Sequence, residues 1–160
     1  MPPAKYAAKT EVPESRSRNE IEATLTRFGA TAFAYGWSAD HARAQVMFEM
    51  GGRRMRFEIT LPDRSSREFT HDGRNRRRTE AGMRATYDQE VRRLWRSLLL
   101  VIKAKLEAVA TGIVSLEEEF LAHVVLPDNS TVGQWVEPQI AQVYGRGDMP
   151  ALLPGSSDAS

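Results

Sequence analysis

Nine arginines between positions 53 and 78 are the side chains whose type and spacing could do chemistry: Arg53, Arg54, Arg56, Arg64, Arg67, Arg74, Arg76, Arg77 and Arg78. A guanidinium stays charged at physiological pH and presents a planar fork of N–H donors that matches a phosphate or a carboxylate. The chemistry that these residues predict is the binding of anions. Successive phosphates of a nucleic acid are the first candidate ligand.

The net charge of the whole chain hides this basic segment. The 160 residues carry 22 Lys and Arg against 21 Asp and Glu, which gives a net charge of +1. Residues 41–100 carry 14 arginines against 8 acidic side chains, whereas residues 101–160 carry 3 basic against 8 acidic ones. The chain is therefore basic in its middle and acidic at its end.

The arginines just before the predicted long helix have no structural explanation in the sequence. A helix N-terminus carries partial positive charge, so each arginine of the run 74–78 costs roughly a few tenths of a kcal/mol there. An anionic partner would explain the run, and a solvated loop is the alternative. Further along, Arg92 and Arg96 are four residues apart and Asp88 precedes Arg92 by one turn, which predicts an Asp88–Arg92 ion pair on a solvated face.

The sequence predicts no catalytic residue, no metal site and no cofactor. His41, His71 and His123 are far apart, and none has the spacing of a metal-binding pair on a helix. The chain has no cysteine, which excludes disulfides, thiol nucleophiles and thiolate metal sites and is typical of a reducing compartment. An enzyme that uses His41 or His71 is the third and least favoured alternative.

Two helices are predicted from capping signals and apolar spacing. Ser17 and Glu20 form a capping-box pattern before a helix over about 18–28. Thr79 is the predicted N-cap of a helix of about thirty residues that ends at Gly112. Its middle, Leu98–Ile102, is apolar all round and should be enclosed on more than one side. This five-residue run is the longest apolar run in the chain and is far too short to span a bilayer.

Residues 31–61 alternate with a period of two and predict a three-stranded antiparallel meander. The hairpin signal Gly51-Gly52 pairs Phe48 with Met55 and Glu49 with Arg54. A turn over 38–41 would place Trp37 opposite Ala42. That register puts the aromatic row Phe33, Tyr35 and Trp37 on the core face, which is favoured over an exposed platform that stacks bases.

Residues 62–78 show no periodicity and predict a long basic loop, and capping signals at Ser115 and Thr131 predict two short C-terminal helices, the second ending at Gly145. The fold class is α+β: a helix, a three-stranded meander, a long helix and two short helices. Residues 1–16 and 154–160 are expected to be disordered tails of a single domain over 17–153. The outer sheet face could be free for a partner or covered by a C-terminal helix.

Three stretches, 27–31, 55–62 and 93–127, resemble small uncharacterised proteins of phage and prophage genomes, a resemblance that covers about residues 17–154 and implies no known activity. Double-stranded-RNA-binding domains and phage-type single-strand annealing proteins are similar to this chain in the order of their helices and strands. The former begin their last helix with Lys-Lys-x-Ala-Lys, where this chain has Arg74-Asn-Arg-Arg-Arg78.

The expected function is that of a non-enzymatic, cytoplasmic, phage-type accessory protein that binds DNA or RNA through the nine arginines and does not contact membranes. The alternative is a protein-interaction module, either an inhibitor of a host protein or a homo-oligomer subunit, whose basic surface meets an acidic partner.

Overall fold

The computed structural model describes residues 12–149. The elements follow in the order α1 (Ser15–Arg27), β1 (Ala32–Trp37), β2 (Arg43–Met50), β3 (Arg53–Thr60), α2 (Arg67–Thr70), α3 (Glu80–Ala110), α4 (Leu116–Phe120), a 3-10 turn (Leu121–His123) and α5 (Val132–Arg146). This order and the antiparallel sheet β1-β2-β3 confirm the predicted α+β class. Residues 15 and 16 are helical, so the expected N-terminal tail ends too late, and the expected tail over 154–160 lies outside the described residues.

The β2–β3 hairpin has the predicted register. Phe48 pairs with Met55, and Glu49 pairs with Arg54. A carboxylate oxygen of Glu49 lies 3.3 Å from Arg54 Nη2 on the outer face. Gly51 and Gly52 both adopt positive φ, at 59° and 73°, as a two-residue turn between twisted strands requires.

The β1–β2 hairpin differs from the prediction by two residues, because Trp37 pairs with Ala44 and not with Ala42. Its turn is longer than expected, and Asp40 stabilises it by accepting hydrogen bonds from the Ala42 amide at 3.0 Å and from Ser38 Oγ at 2.5 Å. A shift by two keeps every side chain on its predicted face. Burial of the whole aromatic row was nevertheless wrong, since Tyr35 and Trp37 on this edge strand are 37% and 44% exposed.

The core lies between the inner face of the sheet and the helices. Trp95 and Ile102 of α3 are buried there with Phe48 of β2. Phe120 of α4 is fully buried, with its ring edge-on to Phe48 at 5.9 Å and to Phe57 at 6.1 Å. These rings attach the C-terminal part of the chain to the sheet.

The predicted enclosure of the middle of α3 is wrong for two residues. Leu100 is 59% exposed and Val101 is 45% exposed, whereas Leu98, Leu99 and Ile102 are buried. The helix packs against the sheet, α1, α2 and α4, and Leu100 and Val101 lie on the side that faces outward within the described part of the chain.

The capping predictions hold for three of the four helices concerned. Thr79 Oγ1 accepts a hydrogen bond from the Gly82 amide, and capping boxes are present at Ser115 and Thr131. The box at Ser17 is wrong: α1 begins at Ser15, three residues earlier than predicted, and Glu20 forms an ion pair with Lys103 of α3. The predicted end of α5 at Gly145 is also two residues early, since Gly147 terminates the helix with a φ of 75°.

The outer face of the sheet is covered at one side only. Val124 pairs with Met55 at the free edge of β3, and α5 follows from there. Ala32 and Ala34 of β1 remain exposed, and within residues 12–149 β1 has no partner on its other edge. Both alternatives for this face are thus realised, on different strands.

Candidate functional site

Eight of the nine predicted arginines lie at two ends of the sheet. Arg53 and Arg54 begin β3 at the hairpin tip, where a Cβ on Gly51 would lie 2.6 Å from Leu116 Cδ2 of α4. β3 then extends over eight residues, about 23 Å. The segment that follows, residues 62–78, is called the basic loop. Six arginines lie in this loop: Arg64, Arg67, Arg74, Arg76, Arg77 and Arg78. The structure brings these six together and separates them from the hairpin tip.

Arg56 is not available to an external anion, which corrects its prediction as a binding residue. Its side chain is only 5% exposed, and Nε lies 3.3 Å from a carboxylate oxygen of Glu58. Nη1 donates to the Asn129 carbonyl at 2.9 Å and Nη2 donates to Gln134 Oε1 at 3.1 Å. This guanidinium therefore joins β3 to the start of α5, and we leave it out of the candidate surface.

The basic loop is more regular than its sequence predicts. After α2 the chain forms a small hairpin in which the Asp72 amide donates to the Arg76 carbonyl and the Arg78 amide donates to the Thr70 carbonyl, both at 2.8 Å. Asn75 turns the chain with a φ of 61°. The loop thus contains one helical turn and one tight turn.

Two side chains hold this hairpin in place. Phe69 is 3% exposed and packs edge-on against Tyr87 of α3, with ring centroids 5.3 Å apart. The Asp72 carboxylate accepts hydrogen bonds from the amides of Arg76 and Arg74, both at 2.9 Å. These bonds, with the nearby guanidinium of Arg76, hold the pKa of Asp72 below its ordinary value. Sequence reasoning missed Phe69, a single aromatic in a polar segment.

Four loop arginines make contacts that shape the loop: Arg64, Arg67, Arg76 and Arg78. Arg64 lies over the Tyr87 ring at 4.0 Å from its centroid, and Arg76 lies 3.0 Å from the Asp72 carboxylate. Arg74 and Arg77 are exposed, and their side chains make no hydrogen bond or ion pair within residues 12–149. These two guanidiniums are the loop's unpaired cations.

A second group of cations lines a groove between α1 and α3 that the sequence analysis did not predict. The groove has a volume of about 340 Å³, and its basic side chains are Arg16 of α1 and Arg92, Arg96 and Lys103 of α3. Glu20 is the one acid among its described lining residues. We call this the α1–α3 groove.

The three arginines of the α1–α3 groove have no carboxylate within ion-pair distance in the described part of the chain. Glu20 is paired with Lys103, which lowers the pKa of Glu20, and the charges of Arg16 and Arg96 lower this pKa further. The predicted Asp88–Arg92 ion pair is absent. The groove therefore holds an excess of positive charge.

The α1–α3 groove and the basic loop adjoin each other. Pro13 lines the groove and also a second cavity of about 390 Å³, which contains Arg64, Tyr87 and Asp88. The signal in the sequence was the Arg92–Arg96 spacing, whereas Arg16 was expected to lie in a disordered tail. These residues could be combined only once α1 was known to pack beside α3.

The histidines form no common site. His41 lies in the β1–β2 turn, His71 Nδ1 is 2.8 Å from Thr70 Oγ1 in the basic loop, and the ring of His123 stacks on Phe57 at 3.9 Å. Burial, and secondarily the charge of Lys105, lowers the pKa of His123. Within residues 12–149 no three histidine or carboxylate side chains are grouped as a metal site would require.

No helix within the described range has the length and apolar character needed to cross a membrane. Comparisons with models of protein families, with curated proteins and with solved structures find no match to this chain.

Proposed function

We propose that this chain is a non-catalytic accessory protein that binds nucleic acid by contacting phosphates through the basic loop and the α1–α3 groove. The observation that carries the proposal is that the basic loop and the α1–α3 groove together hold five exposed guanidiniums that make no hydrogen bond or ion pair with the described residues: Arg16, Arg74, Arg77, Arg92 and Arg96. The expected phage origin and cytoplasmic location stay predictions.

Neither stability nor local structure accounts for these five residues. Like charges that face each other without a counter-ion are repulsive at low salt. A polyanion relieves the repulsion and releases its own condensed counterions on binding. Two adjoining clusters suit a polymer better than a single small anion, because each cluster can take different phosphates of one strand.

Five phosphate contacts set the expected salt dependence. On duplex DNA each contact contributes about 0.9 to the slope of log affinity against log salt. Five contacts give a slope of about −4.5, so affinity should fall roughly 500-fold between about 50 and 200 mM salt. No base-specific contact is proposed.

Fluorescence anisotropy with duplex DNA, single-stranded DNA and RNA at these two salt concentrations tests the proposal. The double variant Arg74→Gln and Arg77→Gln should reduce the slope by about 1.8 and weaken binding. The matched control is Arg53→Gln with Arg54→Gln, which removes the same charge at the far end of β3 and should bind like the wild type. Undetectable binding at micromolar protein, or equal weakening by both pairs, would refute the proposal.

The second candidate function is binding of the same basic surface to an acidic protein, including another copy of this chain. The observation that favours it is the acidic N-terminal turn of α4, where Glu117 is exposed and has no ion-pair partner within residues 12–149. Self-association through opposite charges should disappear as salt rises, which light scattering measures. An excess of absorbance at 260 nm in the purified protein would instead indicate bound nucleic acid.

A further inference from the structure

α5 carries an apolar stripe that the described part of the chain covers only in part, since Val132, Val136 and Val143 are half-buried. At about 100° per residue, Val132, Val136, Ile140 and Val143 fall within an arc of about 80°, with Trp135 and Tyr144 at its two edges. Trp135 is 58% exposed, Ile140 49% and Tyr144 86%, and no residue of α5 is buried. A helix with a stripe this wide normally packs against another apolar surface.

Contacts to the rest of the chain are concentrated in the first turn of α5. Gly133 lies so close to the 3-10 turn that a Cβ there would be 3.0 Å from the Ala122 carbonyl oxygen. Gln134 accepts the hydrogen bond from Arg56. Beside this attachment is an apolar groove of about 420 Å³ between the 3-10 turn and α5, whose lining includes Leu121, Val136 and Glu137.

We propose that a second copy of this chain covers the stripe, with the two α5 helices packed antiparallel around a two-fold axis that passes between Gln139 and Ile140. Charge argues for an apolar occupant, because Glu137 and Arg146 are the only charged residues of α5 and both lie at the edges of the stripe. The centre of the stripe has no cation that could bind a phosphate backbone.

The order of residues in the stripe is self-complementary, as a two-fold interface requires. With the axis at this position, Val136 faces Val143 of the second copy, and Val143 faces Val136 in turn. Ile140 meets its own counterpart beside the axis. A two-fold axis perpendicular to the helices brings the same edge of each stripe together, so Tyr144 lies over the apolar groove of the second copy, between its Gly133 and Glu137.

The exposed apolar area is large enough for a weak, reversible dimer. Trp135 and Tyr144 together offer about 300 Å² at their observed exposures, and Ile140 and Leu121 raise the apolar area to about 450 Å² per copy. The pair would bury about 900 Å², which is less than the roughly 1,200 Å² of a stable specific interface and is in the range of weak, transient ones. We therefore expect a reversible dimer that dissociates on dilution into the micromolar range.

Sedimentation velocity or light scattering of the full chain across the micromolar range tests this dimer. Ile140→Lys places two like charges beside the axis and should leave only monomer. The matched control is Ile113→Lys, which alters an apolar residue that is 77% exposed but lies outside α5, and it should dimerise like the wild type. The dimer should persist at high salt, unlike association through opposite charges.

The position of the axis can be tested by cross-linking, because the chain has no cysteine of its own. Cysteines at position 139 of two antiparallel helices lie near the Cα separation that a disulfide allows, about 4.4–6.8 Å. Under mild oxidation Gln139→Cys should form a covalent dimer much faster than Ala141→Cys, whose side chain is exposed on the opposite side of α5.

Two results would overturn the proposal. A wild-type chain that stays monomeric throughout the concentration range would mean that a second copy does not cover the stripe, and that residues 150–160 or a different protein would have to do so. A dimer that survives Ile140→Lys, or that cross-links equally at both positions, would place the contact between copies elsewhere.

Discussion

Replacing Arg56 by methionine is expected to lower the free energy of unfolding by about 2–4 kcal/mol, because each hydrogen bond from a charged donor contributes about 1.5–3 kcal/mol. The substitution removes two hydrogen bonds to Asn129, one to Gln134 and the contact with Glu58, and it leaves the Asn129 carbonyl without this donor. Removal of the desolvated guanidinium itself offsets part of the loss. For a chain of this size the change should lower Tm by roughly 5–15 °C.

The matched substitution is Arg54→Met, two residues away on the same strand and face. Its ion pair with Glu49 is largely solvated, with side chains 61% and 45% exposed, so its loss should change stability by at most about 0.5–1 kcal/mol. Methionine at either position keeps a long unbranched side chain in the strand and removes only the charged, hydrogen-bonding group.

Thermal and urea unfolding of both variants, followed by circular dichroism, measure this difference. A lower urea midpoint for Arg56→Met with an unchanged m-value would locate the effect in the folded state. Equal stability of the two variants would refute the assignment of Arg56 to the attachment of α5. A folded Arg56→Met protein of normal stability that had lost nucleic-acid affinity would return Arg56 to the binding surface.

Three further predictions concern the loop, pH and α5. Phe69→Ala should lower the free energy of unfolding by about 3–5 kcal/mol in urea titrations and also weaken nucleic-acid binding, since the loop loses its anchor. The pKa of His123 is lower in the folded than in the unfolded chain, so the unfolded state takes up this proton first as pH falls. The free energy of unfolding should therefore decrease as pH drops below about 6.5. His123→Gln should remove this dependence of stability on pH. Gly145→Ala, with no atom within 4 Å of the new Cβ, should raise the free energy of unfolding by about 0.5–1 kcal/mol. Gly133→Ala should instead lower the urea midpoint, because its Cβ would contact the Ala122 carbonyl oxygen.

The parts of the fold that could be predicted are those encoded locally. The β2–β3 hairpin needed only the Gly51-Gly52 turn and the agreement of an apolar face with the Glu49–Arg54 pair. The predicted register of the first hairpin was wrong by two residues, because Asp40 sets its turn by side-chain bonds to Ser38 and to the Ala42 amide, which alternation does not reveal. Exposure of Tyr35 and Trp37 depends on how far the helices extend over the edge strand.

The residue types of the candidate site could be predicted from the sequence, but their positions in the fold could be predicted only in part. Contiguity in sequence kept the six loop arginines together. Alternation correctly put Arg56 on the outer face, but its partners Asn129 and Gln134 are 73 and 78 residues away in the chain, so its burial depends on tertiary contacts. The α1–α3 groove likewise requires Arg16 and Arg92 from helices that meet only in the folded chain.

Order in the basic loop bears directly on how it could bind an anion. Six arginines beside a helix N-terminus repel one another, and a chain with no other constraint would spread them into solvent. Here Asp72 holds the hairpin turn through two backbone amides, and Phe69 fixes α2 against α3. Arg74 and Arg77 therefore project from a backbone that is already ordered, so a ligand would have to immobilise only their side chains. Asp72 and the Phe69 ring thus stabilise the loop, and the two unpaired arginines are left for an external partner.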